Sequence, residues 1–268
     1  MHASQREQLI LSLLIARGFV TFSELDVEVP ASPATIRRDL ERLGQSGKIV
    51  RVRGGARLAR TEESITGGGH LSGVPFHENL SRNRAAKEAV GRAAAQLCKN
   101  GDSIIIDGGS TTLQMCPYLE SFELQVLTNS LHIVSALLPQ ARTTISLPAG
   151  TLFREQNIVL SPFDDDGIGR YRASSMFMGA AAIGPHGLMQ SDVILVQAER
   201  KLIRLADRLI ALVDSSKFDA PIGHVVCDLE EIAVLVTDEG ISDAAAQMLE
   251  RVVQELVVVP LNGVAKAA

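Results

Sequence analysis

Cysteine and histidine are scarce in this sequence of 268 residues, three and six respectively, and neither occurs in a ligating pattern. Cys98, Cys116 and Cys227 lie far apart and are odd in number, with no Cys-x-x-Cys or Cys/His spacing. That excludes a disulfide framework and a structural zinc, and makes all three ordinary core or near-core residues. No metal and no cofactor are expected. An apolar run of about 18 residues, enough to span a membrane as a helix, is also missing. The first residues, with Gln5, Arg6 and Glu7, lack a signal-peptide layout, so a cytoplasmic protein is expected.

Positive charge is concentrated at one end. Residues 1–60 carry ten Lys/Arg against six Asp/Glu, a net of +4, whereas residues 61–268 have a net of −9. A basic head suits the phosphates of DNA, and an acidic remainder repels them and confines binding to the head. The length fits more than one domain. Between Arg60 and Pro75 the chain is polar and Gly-rich without periodicity, which is linker composition. The expected organisation is a DNA-binding domain over 1–58, a linker over 59–75 and a larger domain over 76–260.

Within the head, Ser32-Pro33-Ala34-Thr35-Ile36-Arg37-Arg38-Asp39-Leu40-Glu41-Arg42-Leu43 reads as a recognition helix. Ser32 suits the cap and Pro33 the first helical position, where its missing N–H costs nothing. At roughly 100° per residue, Ile36, Leu40 and Leu43 share one face and Arg38 lies opposite. A helix in the major groove reads base edges mainly with its N-terminal residues, so Thr35, Arg37 and Arg38 are candidates for base contact and Arg42 for phosphate. Lys48, Arg51, Arg53 and Arg57 lie on or beside a short β-hairpin, a basic wing, whose Gly54-Gly55 pair can supply the positive φ of a tight turn. Upstream, Gln5 to Arg17 suits a first helix stopped by Gly18, and Thr21 can cap a second. Leu25-Asp26-Val27-Glu28-Val29 alternates as a strand does, so that second helix rests on context.

Beyond the linker, a helical stretch over Asn79–Leu97 precedes the apolar run Ser103–Ile106 and the turn Asp107-Gly108-Gly109-Ser110-Thr111-Thr112. A β-branched run, a Gly-rich turn and a helical pattern form the strand-loop-helix of an open α/β sheet, whose ligands bind at the carboxyl ends of its strands. Gly108 and Gly109 allow close backbone approach, while Ser110, Thr111 and Thr112 offer hydroxyls and amides to an anion. Similar runs end in Asn129, Gly150 and Lys217, and their convergence on one site is the economical reading. Lys217 is the natural countercharge to a phosphate; Asp107 can accept from a sugar hydroxyl.

Residues 4–58 resemble the winged helix-turn-helix of the DeoR family of bacterial sugar-catabolism regulators, whose signature is a Ser-Pro-x-Thr-Ile-Arg-Arg-Asp-Leu helix followed by an Arg-x-His-Gly-Gly-Ala wing. Arg53 replaces the usual His, and Pro30 a turn glycine. Residues 76–258 are similar to the family's effector domain, whose motifs stand here at Asp107–Thr112, Thr128–Ser130 and Asp214–Phe218. Ala149-Gly150 departs from the family's Gly-Gly. The resemblance implies a fold like that of ribose-5-phosphate isomerase and glucosamine-phosphate deaminase, binding phosphorylated sugars without turnover. From Leu160 to Glu199 the chain looks more like the ascorbate-utilisation regulators, with Arg154, Asp192 and Glu199 as candidates to touch hydroxyls or to form surface salt bridges.

The expectation is therefore a non-enzymatic regulator that binds double-stranded operator DNA, most simply a homo-oligomeric repressor of a sugar or polyol operon controlled by a phosphorylated sugar. Two other readings stay open on sequence: a sugar-phosphate isomerase or deaminase carrying a DNA-binding head, with Asp107 or Glu199 as base, and a DNA-binding protein whose second domain only oligomerises.

Overall fold

The computed structural model describes residues 2–17, 19–46, 48–52, 54–58, 76–161, 166–218, 220 and 223–261. Gly18, Arg53 and residues 59–75, where a linker is expected, lie outside the described residues. The chain divides into two compact units, Met1–Gly68 and Gly69–Ala268.

In the first unit the order is α1 (Ala3–Arg17), β1 (Phe19–Thr21), α2 (Phe22–Glu28), α3 (Pro33–Gln45), β2 (Ile49–Val52) and β3 (Gly55–Leu58). The start of α2 is fixed by a capping box: the Thr21 hydroxyl accepts from the Glu24 amide at 3.2 Å, and the Glu24 carboxylate accepts from the Thr21 amide at 2.7 Å. The alternating stretch from Leu25 is helical as far as Glu28 because Leu25 and Val29, one turn apart, are both buried in the head's core, while Val27 is left 86% exposed. Ser32 caps α3 with Pro33 in its first turn, and Ile36, Leu40 and Leu43 pack inward, as the sequence predicts.

The strand β1 was not among the predicted elements. It pairs with β3, giving an antiparallel order β1-β3-β2. The two glycines of the wing therefore serve different ends. Gly54 takes the positive φ of 92°, whereas a Cβ on Gly55 would lie 2.3 Å from the Val20 carbonyl oxygen. Gly55 is required for close approach of β3 to β1, and only Gly54 for the turn.

The second unit begins with α4 (Phe76–Ser81) and α5 (Arg84–Ala95), where the sequence suggests one helical stretch. The break falls at Asn83, which adopts a left-handed φ of 49°. There follow β4 (Ser103–Ile106), β5 (Leu124–Leu127), α6 (Leu131–Leu137), β6 (Thr143–Ser146), β7 (Thr151–Phe153), β8 (Ile158–Leu160), β9 (Ser175–Met178), β10 (Ala182–Gly184), β11 (Gly187–Gln190) and α7 (Val193–Ile203). The chain continues through β12 (Leu209–Leu212), β13 (His224–Cys227), β14 (Ile232–Asp238), α8 (Asp243–Glu250) and β15 (Glu255–Val259). The helical pattern after Asp107–Thr112 is a 3-10 segment, Thr112–Tyr118, containing Pro117, which has no N–H to donate.

Seven strands form one sheet in the order β15-β14-β12-β9-β4-β5-β6, every neighbouring pair parallel. Both faces are covered. Ile105, Met176, Ala211 and Leu235 belong to one apolar layer, and Ile104, Ile106, Phe177, Ile210 and Val234 to the other. The full burial of a parallel sheet explains these runs of consecutive apolar residues. From β4 the chain adds β5 and β6 toward one edge, and from β9 it adds β12, β14 and β15 toward the other. The strand order thus reverses between β4 and β9, and a crevice forms at the carboxyl ends flanking such a reversal.

The three cysteines are buried and reduced, consistent with the core role read from the sequence. Among the described residues no helix is long and apolar enough to cross a membrane.

Candidate functional site

The exposed side of α3 carries the residues predicted to meet DNA, and the structure gives them different duties. Arg38 is exposed and makes no ion pair or hydrogen bond among the described residues. Arg37 is also exposed, and its guanidinium lies 4.9 Å from the ring centre of Phe22. That cation–π contact presets the side chain's direction at the start of α2. Ser32 and Thr35 share a hydroxyl–hydroxyl bond of 2.8 Å at the helix cap. Arg51 and Lys48 on the wing side are exposed, Arg57 is half-buried, and Arg53 lies outside the described residues.

Arg42, expected to meet phosphate, also makes contacts within the head. Its guanidinium is held by Glu7 at 2.6 Å and Asp39 at 2.7 Å, and Asp39 also binds Arg6 at 2.7 Å. Asp39 is only 2% exposed. This network ties α1 to α3 while leaving the Arg42 side chain about half exposed. The sequence motif contains Asp39, but nothing in its spacing shows that two arginines converge on it.

In the second unit a cavity of about 590 Å³ opens at the switch point between β4 and β9. Asp107 through Thr111 after β4, Asn129 after β5 and Lys217 after β12 all line it, as the sequence predicts. The loop after β9 supplies Gly179, Ala180 and Ala181, whose small size leaves the floor open.

Two predicted residues are not part of the wall. Thr112 is fully buried, with its hydroxyl accepting from the Gly109 amide at 3.0 Å and donating to the Asp107 carbonyl at 2.7 Å. It shapes the loop, with its one hydroxyl proton given to the loop's own backbone. Gly150 lies away from the cavity; a Cβ there would sit 2.4 Å from the Leu160 carbonyl oxygen, so this glycine admits the β7–β8 hairpin. Of the residues considered for hydroxyl contact, Glu199 lines the cavity and Arg154 does not. The Asp192 carboxylate caps α7 by accepting from the Ile194 amide at 2.8 Å.

Sequence reasoning missed Lys87 and Asn83. The Asn83 amide donates to Asp214 at 2.9 Å and to the Ser216 hydroxyl at 2.8 Å, which anchors the start of α5 over the end of β12. One turn later Lys87, with 1% exposure, points into the cavity wall and donates to the backbone and side-chain oxygens of Asn79. Burial lowers its pKa to about 8, against the attraction of Asp214 and with repulsion from Lys217 and Arg82 adding to the shift. Three cations thus converge on one region of the cavity. The only sequence signal was a lysine on the otherwise apolar face of an amphipathic helix, beside Ala86, Val90 and Ala94.

Near the end of β4 the chemistry is reversed. Asp107 is buried, which pushes its pKa up to about 6, against the pull of hydrogen bonds from the Gly108 amide, Asn129 and Glu199. Glu199 is raised well above the carboxylate range by its own burial and by the Asp107 charge. Burial and the neighbouring carboxylate thus both favour the protonated form of Glu199 beside Asp107. No group of three or more His, Cys, Asp or Glu suited to a metal occurs among the described residues.

A winged helix-turn-helix with an outward arginine, and an α/β domain with a ligand-sized cavity, together define a DNA-binding regulator with a sensor domain. Residues 6–62 match the DeoR-like helix-turn-helix domain and residues 82–239 the DeoR C terminal sensor domain. The chain belongs to the DeoR family of transcriptional regulators. It is 30% identical over 250 residues to the HTH-type transcriptional regulator UlaR of Salmonella newport, covering 93% of this chain and 96% of the relative. The UlaR proteins of Salmonella heidelberg and Salmonella agona match at the same 30% identity. These relatives are named as regulators, which places this chain with them and not with enzymes. Among solved structures, ribose 5-phosphate isomerase A from Methanocaldococcus jannaschii is similar at 18% identity and a TM-score of 0.38, over 51% of this chain and 55% of that one. eIF2B delta from Chaetomium thermophilum is similar at 13% identity and a TM-score of 0.41, over 96% of this chain and 72% of that one.

Proposed function

We propose that the chain is a cytoplasmic, homo-oligomeric repressor of a sugar or polyol catabolic operon, relieved by a phosphorylated sugar bound at the β4–β9 switch point. The observation that carries this reading is the convergence of buried Lys87 with Lys217 and Arg82 on the hydroxyl-rich loops of one cavity. A desolvated ammonium with no carboxylate in ion-pair contact among the described residues has its strongest partner in a dianion, and a phosphate supplies one. The linker is assigned to 59–75, between the head and the effector domain over 76–260. Control is a population shift: the effector changes operator affinity only by its differential binding to two arrangements of the oligomer, typically about 1–3 kcal/mol.

Fluorescence anisotropy of labelled DNA from the gene's own upstream region, at one stated salt concentration, tests this with a panel of sugar and polyol phosphates. Release of specific DNA by one panel member supports the reading; specific binding that no member alters overturns the phosphorylated effector. Arg38→Ala is expected to weaken operator binding by roughly 10-fold or more, the loss of a base or phosphate contact worth about 1–3 kcal/mol, with effector affinity unchanged. Lys217→Ala is expected to do the reverse. Equal damage by both substitutions to both activities would contradict the division of labour.

The pH dependence of effector affinity follows from Lys87. A bound phosphate favours the ammonium, so affinity is lost as pH rises through about 8, where the free protein releases that proton. Below a pH of about 6 the phosphate itself takes up a proton and affinity falls again. Calorimetric titration between these limits is expected to show a maximum, and uptake of a proton on binding at the alkaline end.

A further inference from the structure

The cationic region of the cavity accounts for a phosphate but leaves its other wall unexplained. There Glu199 reaches in from α7 and Asp107 from the end of β4, both more than nine-tenths buried. One Glu199 carboxyl oxygen accepts from the Gln190 amide at 2.7 Å and the group also meets Asp107, while the side-chain oxygen of buried Asn129 has no donor among the described residues. Buried acceptors without donors are costly, and a cavity wall is where a ligand supplies them. Among the described residues no lysine or arginine interacts with either carboxyl group, whose hydrogen-bond partners are Gly108, Asn129, Gln190 and each other. This region therefore calls for a ligand group that donates hydrogen bonds without carrying negative charge.

Distance along the sheet ties the two regions to one molecule. The strands β4 and β12 lie on either side of β9, so Asp107 and Asp214, at their carboxyl ends, are separated by two strand spacings, roughly 10 Å. The floor between them is the small-residue loop beginning at Gly179. A phosphorylated pentose or hexose, hydrogen-bonded at each end, covers that span.

We propose that Glu199 is the specificity-determining residue of the sensor cavity: with Asp107 and Asn129 it reads hydroxyl groups of the effector remote from its phosphate. This rests on the phosphorylated-effector reading above. A wall built from buried polar groups rejects an analogue lacking the matching hydroxyl far more strongly than an apolar wall can, because its own acceptors are left without donors. The sensor thus selects hydroxylated over deoxygenated sugar phosphates.

The test is isothermal titration of the full chain with inorganic phosphate and with two matched pairs, ribose 5-phosphate against 2-deoxyribose 5-phosphate and glucose 6-phosphate against 2-deoxyglucose 6-phosphate. The expected result is a preference of roughly 10-fold or more for the hydroxylated member of at least one pair. Glu199→Met, close in shape and without polar hydrogens, is expected to reduce that preference to about 2-fold or less while inorganic phosphate affinity is unchanged. Glu199→Gln, whose amide can both donate to Asp107 and accept from Gln190, is expected to restore most of it. Equal binding of both members of each pair by the unaltered protein overturns the proposal without any variant, and so does a preference that survives Glu199→Met. If neither phosphate nor any sugar phosphate binds, the phosphorylated-effector reading falls and this inference falls with it. Binding of phosphate and sugars without discrimination removes only the role of Glu199.

Discussion

Asp39→Ala is expected to unfold the DNA-binding head while leaving the sensor domain folded. Asp39 is 2% exposed and accepts from Arg6 on α1 and Arg42 on its own helix, with Glu7 holding Arg42 from the other side. Removing the carboxylate takes from Arg6 the main group that raises its pKa and from Arg42 one of its two ion-pair partners. Asp39 is itself buried and is the acceptor that joins Arg6 on α1 to Arg42 on α3, so its loss unties the two helices at that point. A small domain has few kcal/mol to lose, so this is a large fraction of the head's stability. Thermal unfolding followed by circular dichroism, with limited proteolysis, should show early loss of the head, no operator binding, and sensor-domain affinity for phosphate as in the unaltered protein. Asp39→Asn, which keeps one acceptor, should fall between. A head as stable as the original in Asp39→Ala would show that α1 and α3 are held by their apolar contacts alone.

Lys87→Met is expected to abolish the effector response and yet to leave the protein as stable as before, or more so. The ammonium is buried, its pKa is held down to about 8, and its hydrogen bonds go to Asn79 and not to a carboxylate. Methionine fills nearly the same volume without that desolvation cost, as replacement of buried charges by apolar residues often shows. Effector affinity should nevertheless fall by roughly 100-fold, since a buried charge-assisted bond to phosphate is worth about 2–5 kcal/mol. Operator affinity in the absence of effector should be unchanged, giving a repressor that no longer releases DNA. Thermal melting and anisotropy on the same sample separate the two effects. A variant that melts early and still responds to sugar phosphate would assign Lys87 to the scaffold and remove it from the anion site.

Both predictions concern residues whose roles were invisible in the chain. Asp39 reads as part of a helix motif, and Lys87 as one charge on a helix. What could be read directly were features determined by neighbours in sequence. Ser32 and Pro33 start α3, Thr21 and Glu24 start α2, and the β-branched run at Ser103–Ile106 ends in its glycine turn. Local hydrogen bonds and side-chain periodicity fix these, whatever the rest of the molecule does.

Strands such as β9, Ser175-Met176-Phe177-Met178, escaped notice because they carry no β-branched residue and are strands by virtue of β4 and β12 on either side. The cavity divides in the same manner. Asp107 to Thr111, Asn129 and Lys217 could be assigned to it because each follows an apolar run, and strand ends of a parallel sheet face one crevice. Thr112 and Gly150 satisfied the same rule and are absent from the wall, since one hydroxyl is consumed by its own loop and one glycine by a neighbouring hairpin.

By itself, then, the sequence determined the two modules, the capped recognition helix, the open α/β class and most loops of the cavity, because local backbone preferences and short-range periodicity encode them. Tertiary structure alone decided that Arg42 belongs to an ion-pair network and that Lys87 and Asn83 stand over the end of β12. It also decided that Glu199 meets Asp107. These depend on which groups residues distant in the chain bring together when water is excluded, and the burial that sets their charge and hydrogen bonding exists only once the whole sheet has closed around them.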